Sequence, residues 1–120
     1  MTGAPAQPFS LRPGRPEDAV RLHDIHTSAV RTLCAPFYEA DVIDGWLEGR
    51  TPAIYVPLLE RGALFVAEGG SEILGFGEAM PGWVLAVYVD PRLAARGIGS
   101  AILGHAIEIA RRGHDGPIRL

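Results

Sequence analysis

The stretch Val87-Tyr88-Val89-Asp90-Pro91-Arg92-Leu93-Ala94-Ala95-Arg96-Gly97-Ile98-Gly99-Ser100 decides how this chain folds and where its chemistry lies. Its start belongs to a nearly unbroken apolar run, Trp83 to Val89, which predicts a strand buried on both faces. Asp90 to Arg96 reads as a loop. The loop ends in Gly-x-Gly, where Ile98, Ala101, Ile102, Ala106, Ile109 and Ala110 begin a helical repeat that runs to about Arg112. Free backbone N–H groups at a helix N-terminus, reinforced by the helix dipole, form an anion site. Glycines let the backbone approach a phosphate with no Cβ in the way. Arg96 adds a cation and Ser100 a hydroxyl donor, so the parts together predict diphosphate binding.

Other phosphate loops fit less well. A P-loop needs a lysine after its second glycine, and none stands here. A dinucleotide fingerprint needs a third glycine at the position of Ile102, and more βα units than the remaining chain holds. The plain alternative is a pair of glycines that simply opens a helix tightly.

Working outward toward the N-terminus, Ala63 to Ala67 and Ile73 to Met80 read as two strands joined at Glu68-Gly69-Gly70-Ser71, with Pro81-Gly82 turning into the run at Trp83. Phe9 to Arg12 is a short strand stopped by Pro13-Gly14. A helix follows from near Pro16, where Glu17 and Asp18 suit the first turn. Its inward positions are Ala19, Leu22, Ile25, His26, Ala29, Val30 and Leu33. A second helix spans about Glu39 to Leu47, with Val42, Ile43, Trp46 and Leu47 on one face. A third, short helix lies within 52–61, limited by Pro57. Pro117 to Leu120 begins a further strand. The order β-α-α-α-β-β-β-α-β predicts an α+β (mixed α/β) architecture on one central mixed sheet, with helices on both faces.

The 120 residues suit one domain, residues 9–120, after a loose Pro/Ala-rich leader at 1–8. A net charge of −3 offers no general attraction to nucleic acid or anionic membrane, so a phosphorylated ligand requires a local anion site. No apolar run approaches the length of a membrane span. The single cysteine, Cys34, excludes an internal disulfide framework and makes a reducing cytoplasm the simplest location.

Leu85-Ala86-Val87-Tyr88-Val89-Asp90-Pro91, followed by Arg96-Gly97-Ile98-Gly99-Ser100-Ala101-Ile102-Leu103, resembles the central motif of the GNAT superfamily of N-acetyltransferases. Phe65-Val66-Ala67-Glu68 and Ile73-Leu74-Gly75-Phe76 resemble that family's second and third strands, and residues 9–33 its first strand and helix. The resemblance implies acetyl-coenzyme A as cosubstrate, with its pyrophosphate on Ala94, Ala95, Arg96, Gly97, Ile98, Gly99 and Ser100. It places the pantetheine arm against the backbone of Val87, Tyr88 and Val89, where the fourth strand splays from the fifth. The implied reaction is direct acetyl transfer to an amine of unknown identity in a ternary complex. Two departures stand out. Ala94 occupies a position that is usually a glutamine or arginine, and the helix and two strands that normally follow the fifth strand have no counterpart after Leu120. That shortening suggests an alternative, a catalytically weak coenzyme A binding or assembly module. It also predicts a homodimer covering the open side of the sheet.

For the general base, Glu78 is the candidate: alternation places it on the strand face of Leu74, Phe76 and Met80, and apolar surroundings raise a carboxyl pKa. Its plainer reading is an exposed strand-end glutamate beside Pro81. Phe37 and Tyr38 lie in the loop between the first two helices, which by resemblance walls the acceptor pocket; packing is their other reading. His23 and His26 are three apart, but no further ligand cluster accompanies them, so a helix surface is the simpler reading and no metal site is expected.

Overall fold

The computed structural model describes residues 8–93 and 96–120. The leader expected at the N-terminus lies, except for Pro8, outside the described residues, as do Ala94 and Ala95. Strands β1 (Ser10–Pro13), β2 (Leu64–Gly69), β3 (Glu72–Met80) and β4 (Trp83–Val89) form one antiparallel sheet in the order β1-β2-β3-β4. Helices α1 (Ala19–Cys34), α2 (Ala40–Leu47) and α3 (Val56–Glu60) lie between β1 and β2 in sequence, and α4 (Ile98–Arg111) follows β4. None of these helices is long and apolar enough to cross a membrane.

The sheet separates two cores. On one face Leu22 and Ile25 of α1, with Tyr55 and Leu59 from the 52–60 segment, pack on Leu64, Val66 and Phe76. On the other face Ile98, Ile102, Ala106 and Ala110 of α4 pack on Phe65, Ala67, Ala79 and Val84. The period-two alternation of β2 feeds both cores, which is why this inner strand is buried along most of its length. Helices therefore cover both faces, as the expected α+β architecture has them.

Three expectations need correction. β4 is not buried on both faces: Trp83 and Leu85 are exposed, and only Val84 is fully buried. The reason is position, since β4 is the outer strand of the four and, beyond one bridge at Trp83, no strand among the described residues covers its outer side. The last inward positions assigned to α1 also fail, because Val30 is half-buried and Leu33 is 69% exposed. Burial along α1 ends at Ala29, and alongside its last turns α2 buries Ile43 alone. For the same reason Val42 and Trp46 of α2 are largely exposed.

Asp18 also does more than complement a helix dipole. It is buried and accepts hydrogen bonds from Arg12 Nη1 at 2.9 Å and the Arg15 backbone N–H at 2.8 Å, while Arg12 Nη2 reaches Glu68 at 3.1 Å. These bonds tie β1, the start of α1 and β2 together. The segment after α4 begins a parallel pairing with β4 through one bridge, Trp83 to Arg119. Arg119 N donates to Gly82 O at 2.9 Å, and Val84 N donates to Arg119 O at 2.8 Å.

Two glycines set how closely α4 approaches the sheet. A Cβ on Gly75 would lie 2.7 Å from the Tyr88 carbonyl oxygen and 2.8 Å from Ile102 Cδ1. One on Gly77 would meet Phe65 Cζ at 2.6 Å and Ile102 Cγ2 at 2.8 Å. The two positions form a flat strip on β3 into which Ile102 seats. Gly75→Ala should therefore overpack the interface and cost about 1–3 kcal/mol of stability, read as a lower urea midpoint with an unchanged m-value. An unchanged midpoint would show that α4 can retreat freely.

Candidate functional site

The connection from β4 to α4 is held by Asp90. Its side chain is buried, yet it receives Arg21 Nη2 at 2.7 Å, Arg92 Nη2 at 2.7 Å and the Arg92 backbone N–H at 3.0 Å. Its own N–H donates to Leu74 O at 2.9 Å, and its carbonyl accepts from Leu93 N at 2.8 Å. Glu72 joins the same two guanidinium groups at 3.3 and 3.2 Å. One residue thus links α1 and the turn Pro91–Leu93 through its carboxylate, and β3 through its backbone amide. The hydrogen bonds from Arg92, reinforced by those from Arg21, outweigh the effect of burial and hold the Asp90 carboxyl well below the usual carboxylate range. Sequence reasoning read Asp90 only as the start of a loop.

The helix that this turn delivers begins openly. Gly97 is its N-cap, with φ of 81° in the left-handed region that favours glycine, and no side chain caps the first turn. The first helical bond runs from Ala101 N to Gly97 O at 3.1 Å. The N–H groups of Ile98, Gly99 and Ser100 therefore have no acceptor within the helix. Ile98 is fully buried and anchors the turn, whereas Arg96, Gly97 and Ser100 are exposed. A Cβ on Gly99 would meet nothing nearer than Val89 Cγ2 at 3.5 Å, so packing inside the protein does not demand glycine there.

β4 carries a bulge. Glu78 pairs with Ala86 and Ala79 with Val84, which leaves Leu85 unpaired. The extra residue switches the faces of the strand: Val84, Val87 and Val89 pack toward α4, while Tyr88 packs on the opposite core. Beyond Val84 no strand among the described residues pairs with the outer edge of β4. Val87, Tyr88 and Val89 are thus continuous, along an open strand edge, with the turn that leads to Arg96, Gly97, Ile98, Gly99 and Ser100.

On the α1 side of β4 lies a cavity of about 270 Å³. Glu78 lines it together with His26, Arg50, Tyr55, Phe76 and Tyr88. Glu78 shares its face with Phe76 but not with Leu74, which sits at a second bulge and packs in the α4 core. The His26 ring stands edge-on to Tyr88 with centroids 4.7 Å apart, and Tyr88 lies 5.4 Å from Phe76. Burial lowers the pKa of His26, aided by the charge of Arg50, and burial raises that of Tyr88. Phe37 and Tyr38 do not line this cavity; they are 80% and 50% exposed in the α1–α2 loop, where Tyr38 stacks edge-on against Trp46 at 4.7 Å. His26 belonged to the inward stripe of α1, which was its only signal, and nothing local marked Arg50 or Tyr55. Among the described residues no group of three or more His, Cys, Asp or Glu side chains could hold a metal ion.

The model of the acetyltransferase (GNAT) family matches residues 22–118. The chain belongs to the GNAT acetyltransferase family. This GNAT chain is similar in fold to the PaiA N-acetyltransferase of Thermoplasma acidophilum, solved in complex with coenzyme A. That match has a TM-score of 0.75 at 19% identity, over 88% of this chain and 73% of the other. A GNAT family acetyltransferase of Brucella melitensis in complex with acetyl-CoA matches with a TM-score of 0.65 at 22% identity, over 95% and 76% of the two chains. Diaminobutyrate acetyltransferase EctA of Paenibacillus lautus, in complex with L-2,4-diaminobutyric acid and coenzyme A, matches with a TM-score of 0.60 at 19% identity, over 88% and 61%. No curated protein sequence matches the chain.

Because the folded Asp90 carboxyl titrates below its unfolded value, its stabilising effect is complete above about pH 5 and is lost as the pH falls below about 4. Asp90→Asn should cost about 2 kcal/mol at pH 7, the scale of hydrogen bonds to charged groups. The variant should also lose less stability than the wild type between pH 5 and 3, values of about a unit either side of the carboxylate range. Urea unfolding at both pH values checks this, and parallel losses in the two proteins would remove Asp90 from its role.

Proposed function

We propose that the chain binds acetyl-coenzyme A along the run from Val87 to Ser100 and transfers its acetyl group to an amine held in the cavity beneath β4. The observation that carries the proposal is the uncapped start of α4, placed by the Asp90 turn beside the unpaired edge of β4, in a chain of the acetyltransferase family. Three N–H groups without helical acceptors, at the positive end of a helix dipole, suit a pyrophosphate. Arg96 and Ser100 flank them on the surface, and Ala94 and Ala95 complete the loop in sequence. The open edge of β4 at Val87, Tyr88 and Val89 offers backbone groups to the amide-bearing pantetheine arm. Residues 9–120 act in this reading as one acetyl-coenzyme A binding domain.

The chemistry is acyl transfer. The amine nitrogen attacks the thioester carbonyl carbon, a C–N bond forms, the C–S bond breaks, and coenzyme A leaves as a thiolate that takes up a proton. A backbone N–H of β4 near Val89 polarises the carbonyl as charge develops on its oxygen. Glu78, half-buried in the cavity wall, accepts the proton that the amine must lose, directly or through water. Tyr88 faces the same core and burial keeps it protonated, so it is the available proton donor for the thiolate. Holding both substrates on either side of one strand supplies the proximity that the reaction needs.

Gly99→Val adds bulk where the protein itself leaves room, so it should keep the fold while obstructing the approach of a phosphate. Calorimetric titration with acetyl-coenzyme A should show binding weakened by about tenfold or more, near 1.4 kcal/mol; equal affinity in a folded variant removes the pyrophosphate assignment. Glu78→Gln should lower the turnover rate by about a hundredfold or more and change its pH profile, with acetyl-coenzyme A affinity retained. A thiol-release assay over an amine panel reads both effects, and matching pH–rate profiles would return Glu78 to a structural role.

A further inference from the structure

Among the described residues Arg50 is a half-buried guanidinium with no carboxylate partner. Arg12, Arg21 and Arg92, which are also drawn into polar clusters, each meet carboxylates at 3.3 Å or closer. Arg50 sits on the link between α2 and the turn Pro52–Tyr55 and lines the cavity under β4. Among the described residues it makes no ion pair; its one side-chain hydrogen bond is a long one, from Nη2 to Tyr55 Oη at 3.5 Å. Its Nε is buried with no acceptor. The link is held from behind, where His23 Nε2 lies 3.1 Å from the Arg50 carbonyl oxygen. The charge of Arg50 reaches the cavity's other rings: it adds to burial in lowering the pKa of His26, and it opposes in part the burial that raises that of Tyr88.

Among the described residues the only acidic side chain lining the same cavity is Glu78, from β3. The cavity therefore presents one cation and one anion that do not pair with each other, among a lining that includes Tyr55, Phe76 and Tyr88. An unpaired charge withdrawn from water is costly unless a partner arrives. A ligand that carries both charges satisfies both walls at once. The volume of about 270 Å³ is just under the range of about 300–1,000 Å³ typical of drug-sized ligands. It suits a molecule the size of a single amino acid better than a length of peptide chain.

We infer that the acceptor is a small zwitterion, an amine that also bears a carboxylate, held with its carboxylate on Arg50 and its ammonium toward Glu78. This inference rests on the proposed acetyl transfer, because it takes the cavity to be the acceptor site. Arg50 is then the specificity determinant: a guanidinium matches a carboxylate through two parallel hydrogen bonds. His26 and Tyr55 contribute the rings against which the ligand's carbon chain packs.

The test is calorimetric titration of the full chain, with and without saturating coenzyme A, using matched pairs that differ only in the carboxylate: L-ornithine against putrescine, and L-lysine against cadaverine. The carboxylated member of each pair should bind about tenfold tighter or more. Arg50→Gln should erase that preference, and Arg50→Lys should keep part of it, which also covers the case in which the glutamine variant fails to fold. Hexanoate, which keeps the carboxylate of lysine without its amines, should bind more weakly than lysine. Equal binding within each pair, no binding of any member, a preference that survives Arg50→Gln, or hexanoate binding as tightly as lysine would each overturn the assignment. Acetyl-coenzyme A binding that persists while the carboxylate preference is absent sinks this inference alone. A chain that fails to bind acetyl-coenzyme A sinks the reading beneath it, and the titrations without coenzyme A still decide the anion site.

Discussion

The buried carboxylate of Asp90 is the constraint on which the candidate site depends. It collects a guanidinium from α1, a second from its own turn, and a backbone N–H, while its own amide is bonded to β3. A carboxylate at that depth cannot lose one of these partners cheaply, since an unpaired buried charge costs several kcal/mol. Few paths for the chain let both arginines converge on it. The direction in which β4 leaves the sheet is thereby fixed, and with it the place where Gly97 turns into α4.

The rest of the site follows from how α4 and α1 flank the same strand. Gly75 and Gly77 let α4 settle close enough for Ile102 to fill the space that two side chains would take. The start of α4 is thus held by a tight core, although its amides face outward. On the opposite side lies the cavity lined by His26, Arg50, Glu78 and Tyr88. The bulge at Leu85 serves both sides, because one extra residue sends Val87 and Val89 to the α4 core and leaves Tyr88 facing His26. One strand therefore divides the open edge that leads to α4 from the cavity on the α1 side.

The errors of sequence reasoning share a cause. Trp83 to Val89 looks like an inner strand because its residues are apolar, but apolar composition does not reveal that a strand lies at the outside of a sheet. Leu33 fits the helical stripe of α1, yet the helix outruns the surface that could cover it. Leu74 and Glu78 were placed on one face by strict alternation, which the bulge at Leu74 breaks. In each case the local pattern is real, and the neighbour that gives it meaning is distant in sequence.

What the sequence by itself determined is the run from strand to loop to helix and the glycine that opens the helix. Those depend on local properties: apolar period, the conformational freedom of Gly97, and amides that any helix start leaves without partners. Membership of the GNAT family was legible in the same residues. Only the tertiary structure decided which side chains meet in the cavity. His26 comes from α1, Arg50 from the link after α2, Tyr55 from the 52–60 segment, Glu78 from β3 and Tyr88 from β4, and none carries a local mark of the others. They converge because α1 and the 52–60 segment pack on one face of a sheet whose register is set by pairing between strands, and such pairing is invisible to any single stretch of chain.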